Sequence, residues 1–259
     1  MKEGWRQYLS LQTHKGRHKE RKIIVEGVRL VREAFLSDWS IEKSFITENF
    51  SNSSQWPEFK EYFKQKKINF SIIQSKNFRE LADTENPQGI IVIVKHPSTV
   101  PENQLYKLDF ILILQSIRDP GNLGTLIRTA DWFNTKAIIL SHDCVDFFNS
   151  KVLRSSMGSI FHLPVLESND LKKTIKKLKQ NNFQIVATSL NAANVLEDIN
   201  FIKPVVLILG GEANGVSADI VALANIDTRI WKYGKAESLN VAIAGAILMN
   251  HIANVINKS

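Results

Sequence analysis

The 259-residue sequence predicts an α/β protein in two parts: a C-terminal domain built on a parallel sheet, behind a smaller α/β domain. Two patterns carry that reading. In the C-terminal part FILILQS (110–116), AIIL (137–140), QIVATS (184–189) and VVLILG (205–210) are short, nearly unbroken apolar runs. Strands buried on both faces need that composition, and helical stretches separate most of these runs. Ahead of them, HPSTVPENQ (96–104) is polar and punctuated by proline. It is the strongest linker signal in the chain and divides 1–100 from 105–259.

In chain order, the first feature is a basic run. Lys15, Arg17, Lys19, Arg21 and Lys22 crowd one short stretch with His14 and His18. The run shows little helical pattern and suits contact with an RNA backbone. Residues 23–36, IIVEGVRLVREAFL, place Val28, Val31 and Phe35 on one helical face. KSFIT (43–47) and FSIIQ (70–74) read as strands around the helical EFKEYFKQKK, and GIIVIVK (89–95) as a stronger strand. Beyond the linker, Asp119 and Pro120 break the first apolar run, and a Gly-Asn-Leu-Gly turn follows. A helix with Leu123, Leu126, Ile127, Ala130 and Phe133 as its buried stripe comes next. NSKVLRSSMGSIFHLP (149–164) reads as a turn and amphipathic helix leading into a strand-like IFHLP. Lys172, Lys173, Lys176, Lys177 and Lys179 form the solvated face of a helix whose other face is Leu171, Ile175 and Leu178. AESLNVAIAGAILMNHI (236–252) is apolar nearly all round, so it should be buried in a core or against a partner subunit.

A net charge of +7 and a pI of about 9.4 point toward a polyanionic partner. A lone cysteine, Cys144, excludes an internal disulfide and a cysteine zinc site, and fits a reducing cytoplasm. The N-terminus has no apolar signal core, and the longest apolar run, near 241–249, falls short of the ~20 residues of a membrane span. The expectation is a soluble cytoplasmic protein with no metal.

Ligands of parallel sheets sit beyond the carboxyl ends of the strands, and three groups follow such ends. The first holds Asn122, which could cap a helix or do chemistry, and Arg128, which could be a surface ion-pairing residue or a functional one. The second is GGEANGVSADI (210–220), where Gly210, Gly211 and Gly215 surround Glu212 and allow close approach to a ligand. Ser217 and Asp219 there resemble a cap and first helical turn. The glycine spacing is not that of a dinucleotide fold, and no acidic residue follows at the ribose-binding distance, which argues against a nucleotide-dependent oxidoreductase. In the third group Ser238 caps the apolar helix, and Asn240 falls in its first turn. A buried amide at that position would need partners.

These residues resemble the SpoU (TrmH-like) RNA ribose methyltransferases of the SPOUT superfamily. The likeness rests on N-x-x-x-x-x-R within DPGNLGTLIRTADWF, then GGEANG, then ESLNVAIAGAIL, in that order. NSKVLRSSMGS, the basic run with IIVEGVRLVREAF, and ENPQGIIVIV extend it over nearly the whole chain. The resemblance implies a catalytic domain whose sheet ends in a deep trefoil knot, an exception to the rule against knots. It also implies an N-terminal L30e-like RNA-binding domain and a homodimer packed through the C-terminal domain. S-adenosylmethionine would be cradled by Thr188, Leu190, Gly210, Gly211, Gly215, Ile230 and Leu239. Asn122, Arg128, Glu212, Ser238 and Asn240 would form the catalytic set. The basic N-terminal residues and Arg154 would contact RNA. Three positions depart from the family pattern: Ala213 and Asn134 stand where glycine is usual, and Trp231 where proline is usual.

The implied reaction is methyl transfer to a ribose 2′-hydroxyl of RNA, with DNA excluded because it lacks that group. Ribosomal RNA is preferred to transfer RNA, since a separate N-terminal domain accompanies rRNA-directed members of the family more often. The alternatives are a tRNA 2′-O-methyltransferase and a non-catalytic RNA-binding or ribosome-assembly protein of the same fold. A guanidinium, with an ordinary pKa above 12, is a poor base. The expected role of Arg128 is therefore a bidentate grip on the target phosphate.

Overall fold

The computed structural model describes residues 4–97, 100–212 and 214–256. The chain forms two compact units: Met1–Ser98 with Phe148–Phe161, and Thr99–Phe147 with His162–Ser259.

The first unit is built on a four-stranded sheet of order β1-β4-β2-β3, from β1 (Lys22–Glu26), β2 (Ile41–Ile46), β3 (Phe70–Ile72) and β4 (Ile90–Lys95). β4 is antiparallel to β1 and β2, whereas β3 runs parallel to β2. Its helices are α1 (His14–Glu20), α2 (Val28–Leu36), α3 (Glu48–Ser51), α4 (Trp56–Gln65) and α5 (Ser75–Leu81). Trp5, Tyr8, Leu11, Phe45, Phe78 and Ile91 pack into one core cluster. Two expectations are corrected here. The helix predicted over 23–36 begins only at Val28, because residues 22–26 alternate in burial as a strand and Gly27, at φ +93°, turns the chain. The basic run is helical as far as Glu20, capped by Thr13, whose side chain accepts from the Gly16 amide; Arg21 then turns left-handed and Lys22 opens β1.

Phe148–Phe161 belongs with this first unit, although a boundary at the proline-rich linker would assign it to the second. Its helix α8 (Ser150–Ser156) and its two phenylalanines explain why. Trp39 meets Phe148 and Phe161 edge-on at 6.0 and 4.9 Å between ring centres. Asp83 accepts hydrogen bonds from Ser150 and Arg154, both at 2.7 Å. The strand expected at IFHLP forms one step later, at Val165–Ser168.

The second unit is a seven-stranded sheet, parallel throughout, of order β7-β6-β5-β10-β8-β11-β9. Its strands are β5 (Phe110–Gln115), β6 (Ala137–Ser141), β7 (Val165–Ser168), β8 (Gln184–Thr188), β9 (Asn194–Val195), β10 (Val205–Gly210) and β11 (Ile226–Arg229). The four apolar runs became β5, β6, β8 and β10, which occupy the interior of the sheet and are almost wholly buried. β7, β9 and β11 are short and partly polar, which is why pattern alone did not mark them. The helices of this unit are α6 (Glu102–Leu105), α7 (Pro120–Trp132), α9 (Leu171–Gln180), α10 (Ala218–Val221) and α11 (Val241–Ile256). The chain builds β6 and β7 on one side of β5 and β8 and β9 on the other, and β10 then enters between β5 and β8. That late insertion sets Gly210 beside Gln115. Among the described residues, no helix is long and apolar enough to cross a membrane.

Candidate active site

α7 starts at Pro120 because Asp119 is extended and its carboxylate accepts the Asn122 amide hydrogen at 2.7 Å. Asp119 is therefore the cap, not Asn122, and the Asn122 side chain is released for other work. Its Nδ2 donates to Glu212 Oε1 at 2.6 Å. Asn240 is likewise not in the first turn of α11: it precedes Val241 and caps the helix in place of Ser238. Its Oδ1 accepts from the amides of Ala242 (2.9 Å) and Ile243 (3.4 Å). With Oδ1 so engaged, Nδ2 faces the other way, donating to Asn122 Oδ1 at 3.0 Å and Glu212 Oε1 at 3.1 Å. The amide is exposed, and hydrogen bonds meet its needs. Three segments distant in sequence thus close a triangle of polar side chains. Glu212 sits at the amino ends of two helices, where a negative charge is favoured. Among the described residues, its Oε2 has no partner.

The loop that carries Glu212 is held at both ends by a residue that the sequence did not flag. Gln115, the last residue of β5, accepts the Gly211 amide on its backbone oxygen at 2.8 Å. Its side chain grips Ser217 twice, Nε2 donating to Oγ (2.8 Å) and Oε1 accepting from the amide (3.0 Å). Between those grips Gly211 and Gly215 bridge each other. A Cβ on Gly210 would come within 1.9 Å of the Gly215 backbone, and one on Gly211 within 2.3 Å of the Ser116 carbonyl oxygen. Backbone packing therefore demands both glycines. Ser116 itself is left-handed, at φ +58°. Its amide donates to Ser141 Oγ (2.9 Å), and both serine hydroxyls donate to Asp143 at 2.5 Å. Burial alone would raise the Asp143 carboxyl, but the Ser116 and Ser141 hydroxyls outweigh it and hold the group below the ordinary value. Cys144 completes this brace as a turn residue, its thiol donating to the Leu114 carbonyl and accepting from the Ile117 amide. Gln115 ends a run that reads simply as buried strand, so no local pattern announces it.

Arg128 is exposed on α7, six residues past Asn122, about 9 Å along the axis at 1.5 Å per residue. Among the described residues its guanidinium has no ion-pair or hydrogen-bond partner. Ser238 is exposed and also without one. Thr188, Gly210 and the Ile230 end of β11 lie on neighbouring strands β8, β10 and β11 at their carboxyl ends. Leu190 and Leu239 are 69% and 46% exposed, two apolar side chains that nothing covers. Gly215, at φ +61°, has open space where a Cβ would be. The Thr228 hydroxyl, in register with Thr188, is buried without a hydrogen-bond partner. Asn134 is left-handed, at φ +59°, a conformation that asparagine tolerates after a helix; Ala213 lies outside the described residues. No group of three or more potential metal-ligating side chains occurs among the described residues.

The basic residues behave less uniformly than their spacing suggested. Lys15, Lys19 and Arg21 are exposed. Arg17 is 8% exposed and donates to the carbonyls of Leu11 and Gln12 at 3.0 Å, so it ties the preceding turn in place. Lys22 pairs with Glu42 at 2.7 Å and Arg154 with Asp83 at 2.7 Å. Of the five lysines on α9, Lys172 pairs with Asp219, Lys177 with Glu102, and Lys179 donates to the Leu223 carbonyl.

Residues 109–250 match the SpoU rRNA Methylase family, and residues 5–92 an MRM3-like substrate binding domain. The chain is 32% identical over 245 residues to the 23S rRNA (guanosine(2553)-2′-O)-methyltransferase RlmP of Bacillus subtilis, covering 95% of this chain and 94% of that protein. The AdoMet-bound rRNA methyltransferase from Sinorhizobium meliloti superposes with a TM-score of 0.85 at 27% identity, over 98% of this chain and 95% of its own. The SpoU methyltransferase AviRb from Streptomyces viridochromogenes, in complex with the cofactor AdoMet, shares the fold at a TM-score of 0.87 and 22% identity, over 98% of each chain. With the polar triangle built from the three family segments, the chain belongs to the SpoU rRNA methylase family.

Proposed function

We propose that this chain is an S-adenosylmethionine-dependent methyltransferase acting on a ribose 2′-hydroxyl of ribosomal RNA. The observation that carries the reading is the closed set Asn122, Glu212 and Asn240, with Arg128 farther along the helix of Asn122 and unpaired among the described residues, in a chain related to RlmP over 95% of its length. The carboxyl ends of β8, β10 and β11 fit the cofactor. Leu190 and Leu239 offer apolar contact, Gly215 leaves open space, and Thr228 has a hydroxyl to satisfy. Thr188, Leu190, Gly210, Gly211, Gly215, Ile230 and Leu239 would hold it, and the trefoil knot typical of the family would be closed by the loops between them. S-adenosylmethionine, when bound, supplies the methyl group on a sulfonium sulfur.

The residues of the chain align the acceptor for attack and for loss of its proton. Arg128 grips the target phosphate bidentately and orients the 2′-hydroxyl. Glu212 keeps Oε2 free to accept from a ribose hydroxyl, while Asn122 and Asn240 fix Oε1. Ser238 hydrogen-bonds at the mouth of the site. The proton passes to the phosphate or to water. In the first unit Lys15, Lys19 and Arg21 hold RNA backbone, a contact that weakens steeply with salt. The enzyme works in the cytoplasm as a homodimer. α7 and α11 support that assembly: they pack together at Leu126 and Gly245, yet leave Trp132 82%, Ile243 55% and Ile247 38% exposed.

The test is to map 2′-O-methyl sites in total RNA from cells with and without the gene. One vanished site in ribosomal RNA is expected; a vanished tRNA site would move the substrate, and no vanished site would overturn the activity. In vitro, Arg128→Lys should lose most turnover, since an ammonium cannot form the planar two-point grip. Near-full turnover in that variant would refute the grip.

A further inference from the structure

Between β11 and α11 the chain runs through residues 231–240 without regular secondary structure, and all ten are exposed. Trp231 and Tyr233 present large aromatic surfaces there, 46% and 92% exposed, with ring centres 6.5 Å apart at 72°. The Arg229 guanidinium lies over the Trp231 ring, 5.2 Å from its centre. Lys232 and Lys235 alternate with the aromatics, and among the described residues neither has an ion-pair or hydrogen-bond partner. Glu237 is the sole acidic residue between 229 and 240. The loop ends at Asn240, which is bonded to Asn122 and Glu212, so one continuous segment carries both the aromatics and a corner of the polar triangle.

Cations interleaved with exposed aromatic faces suit a polyanion that carries flat apolar groups, which is the chemistry of single-stranded nucleic acid. We propose that residues 229–235 form a stacking platform for the unpaired bases that flank the target ribose. The proposal rests on the RNA reading above and adds a contact surface in the catalytic unit, apart from the basic N-terminal helix. Bases stack on Trp231 and Tyr233, Arg229 holds the indole ring, and the backbone phosphates follow Lys232 and Lys235. Because every base has an aromatic face, the platform tolerates sequence and sets the register of the strand. A second copy of this chain fits the loop poorly, since a symmetric contact would oppose Arg229, Lys232 and Lys235 to their own equivalents. α11, which carries no Asp, Glu, Lys or Arg and leaves Ile243 and Ile247 exposed, has no such penalty.

The full-length protein can be titrated with a fluorescein-labelled, ten-nucleotide single-stranded RNA of mixed sequence, read by anisotropy. Tyr233→Ala should raise Kd about tenfold, whereas Tyr233→Phe, which keeps the ring, should stay within about twofold. Replacing Lys232 and Lys235 together by Gln should flatten the dependence of log Kd on log salt by about 1 to 2. Melting temperature and calorimetric affinity for S-adenosylmethionine should not move in Tyr233→Ala, because that side chain is almost wholly exposed. Wild-type RNA affinity in Tyr233→Ala would overturn the platform. So would a loss confined to cofactor affinity, or a dimer-to-monomer shift in sedimentation with RNA affinity per chain unchanged. The readout is binding, not turnover. A wild-type protein that binds RNA through this loop yet methylates none would refute the activity and leave the platform standing.

Discussion

Asn240 divides one carboxamide between a helix and a site. Its oxygen caps α11, and its nitrogen joins Asn122 to Glu212. Substitutions can separate the two jobs. Asn240→Ala should lose about 1 kcal/mol of stability, the usual cost of a missing cap, together with most methyl transfer. Asn240→Ser restores a cap but is too short to reach Glu212. It should recover the melting temperature and leave turnover at least about tenfold down, a loss of transition-state positioning of roughly 1.4 kcal/mol. If Ser rescued both, the amide bridge would be irrelevant to catalysis. Asp143 makes a second prediction, in pH. Its carboxyl is held low by the Ser116 and Ser141 hydroxyls against the opposing effect of burial. A depressed folded-state pKa contributes stability above the unfolded value of about 3.9 and loses it as pH falls through the folded value. Between pH 6 and 2, the melting-temperature advantage of wild type over Asp143→Asn should therefore shrink. An advantage that grew toward low pH would contradict the sign.

At the scale of elements, the 211–217 loop depends on the end of β5. Gln115 fastens both of its ends, and Ser116 holds a left-handed backbone so that its carbonyl meets Gly211. Gln115→Ala should speed amide exchange across 211–217 by about tenfold or more while the strands of the sheet stay protected. If that looseness acts through Glu212, its effect on turnover should vanish in a Glu212→Ala background. Additive losses would show instead that Gln115 only stabilises the fold. The sequence made the apolar strands β5, β6, β8 and β10 easy to find, because burial on both faces writes the pattern directly into residue type. It concealed the caps. Asp119, Asn122, Ser238 and Asn240 all have side chains able to cap a helix, and choosing among them requires knowing what else each can reach. The strand at 22–26 was lost for a related reason: its alternation merges without a gap into the helical period of Val28–Leu36.

For the whole molecule, the placement of Phe148–Phe161 changes what truncation can show. Phe148, Val152, Leu153, Ile160 and Phe161 are buried, and Trp39, Asp83 and His96 are among the partners of this segment in the first unit. Removing residues 1–100 strips those partners away. The remainder should expose a continuous apolar face and bind a hydrophobic dye or aggregate. Cofactor affinity in such a fragment should be recovered by also replacing Phe148, Leu153 and Phe161 with polar residues, as measured by calorimetry. A soluble, monodisperse 101–259 fragment without those changes would contradict this account. Self-association through α7 and α11 can be examined separately: Trp132→Glu should shift sedimentation toward monomer, since it places a charge on an apolar side chain that is already exposed.

By itself the sequence determined the α/β class, the parallel interior strands, the apolar final helix and the identity of the polar residues at the strand ends. These follow from residue type and from periods of 2 and 3.6, which are local. Tertiary structure alone decided that Asn122, Glu212 and Asn240 share hydrogen bonds across 28 to 118 residues of chain. It also decided that Arg17 is spent on backbone carbonyls while Lys15 and Lys19 stay exposed, and that Gln115 clamps the loop of Glu212. The physical reason is the same in each case. A polar side chain takes its role from the partners that folding brings within about 3 Å, and for Gln115 and the loop of Glu212 the late insertion of β10 beside β5 brings those partners together.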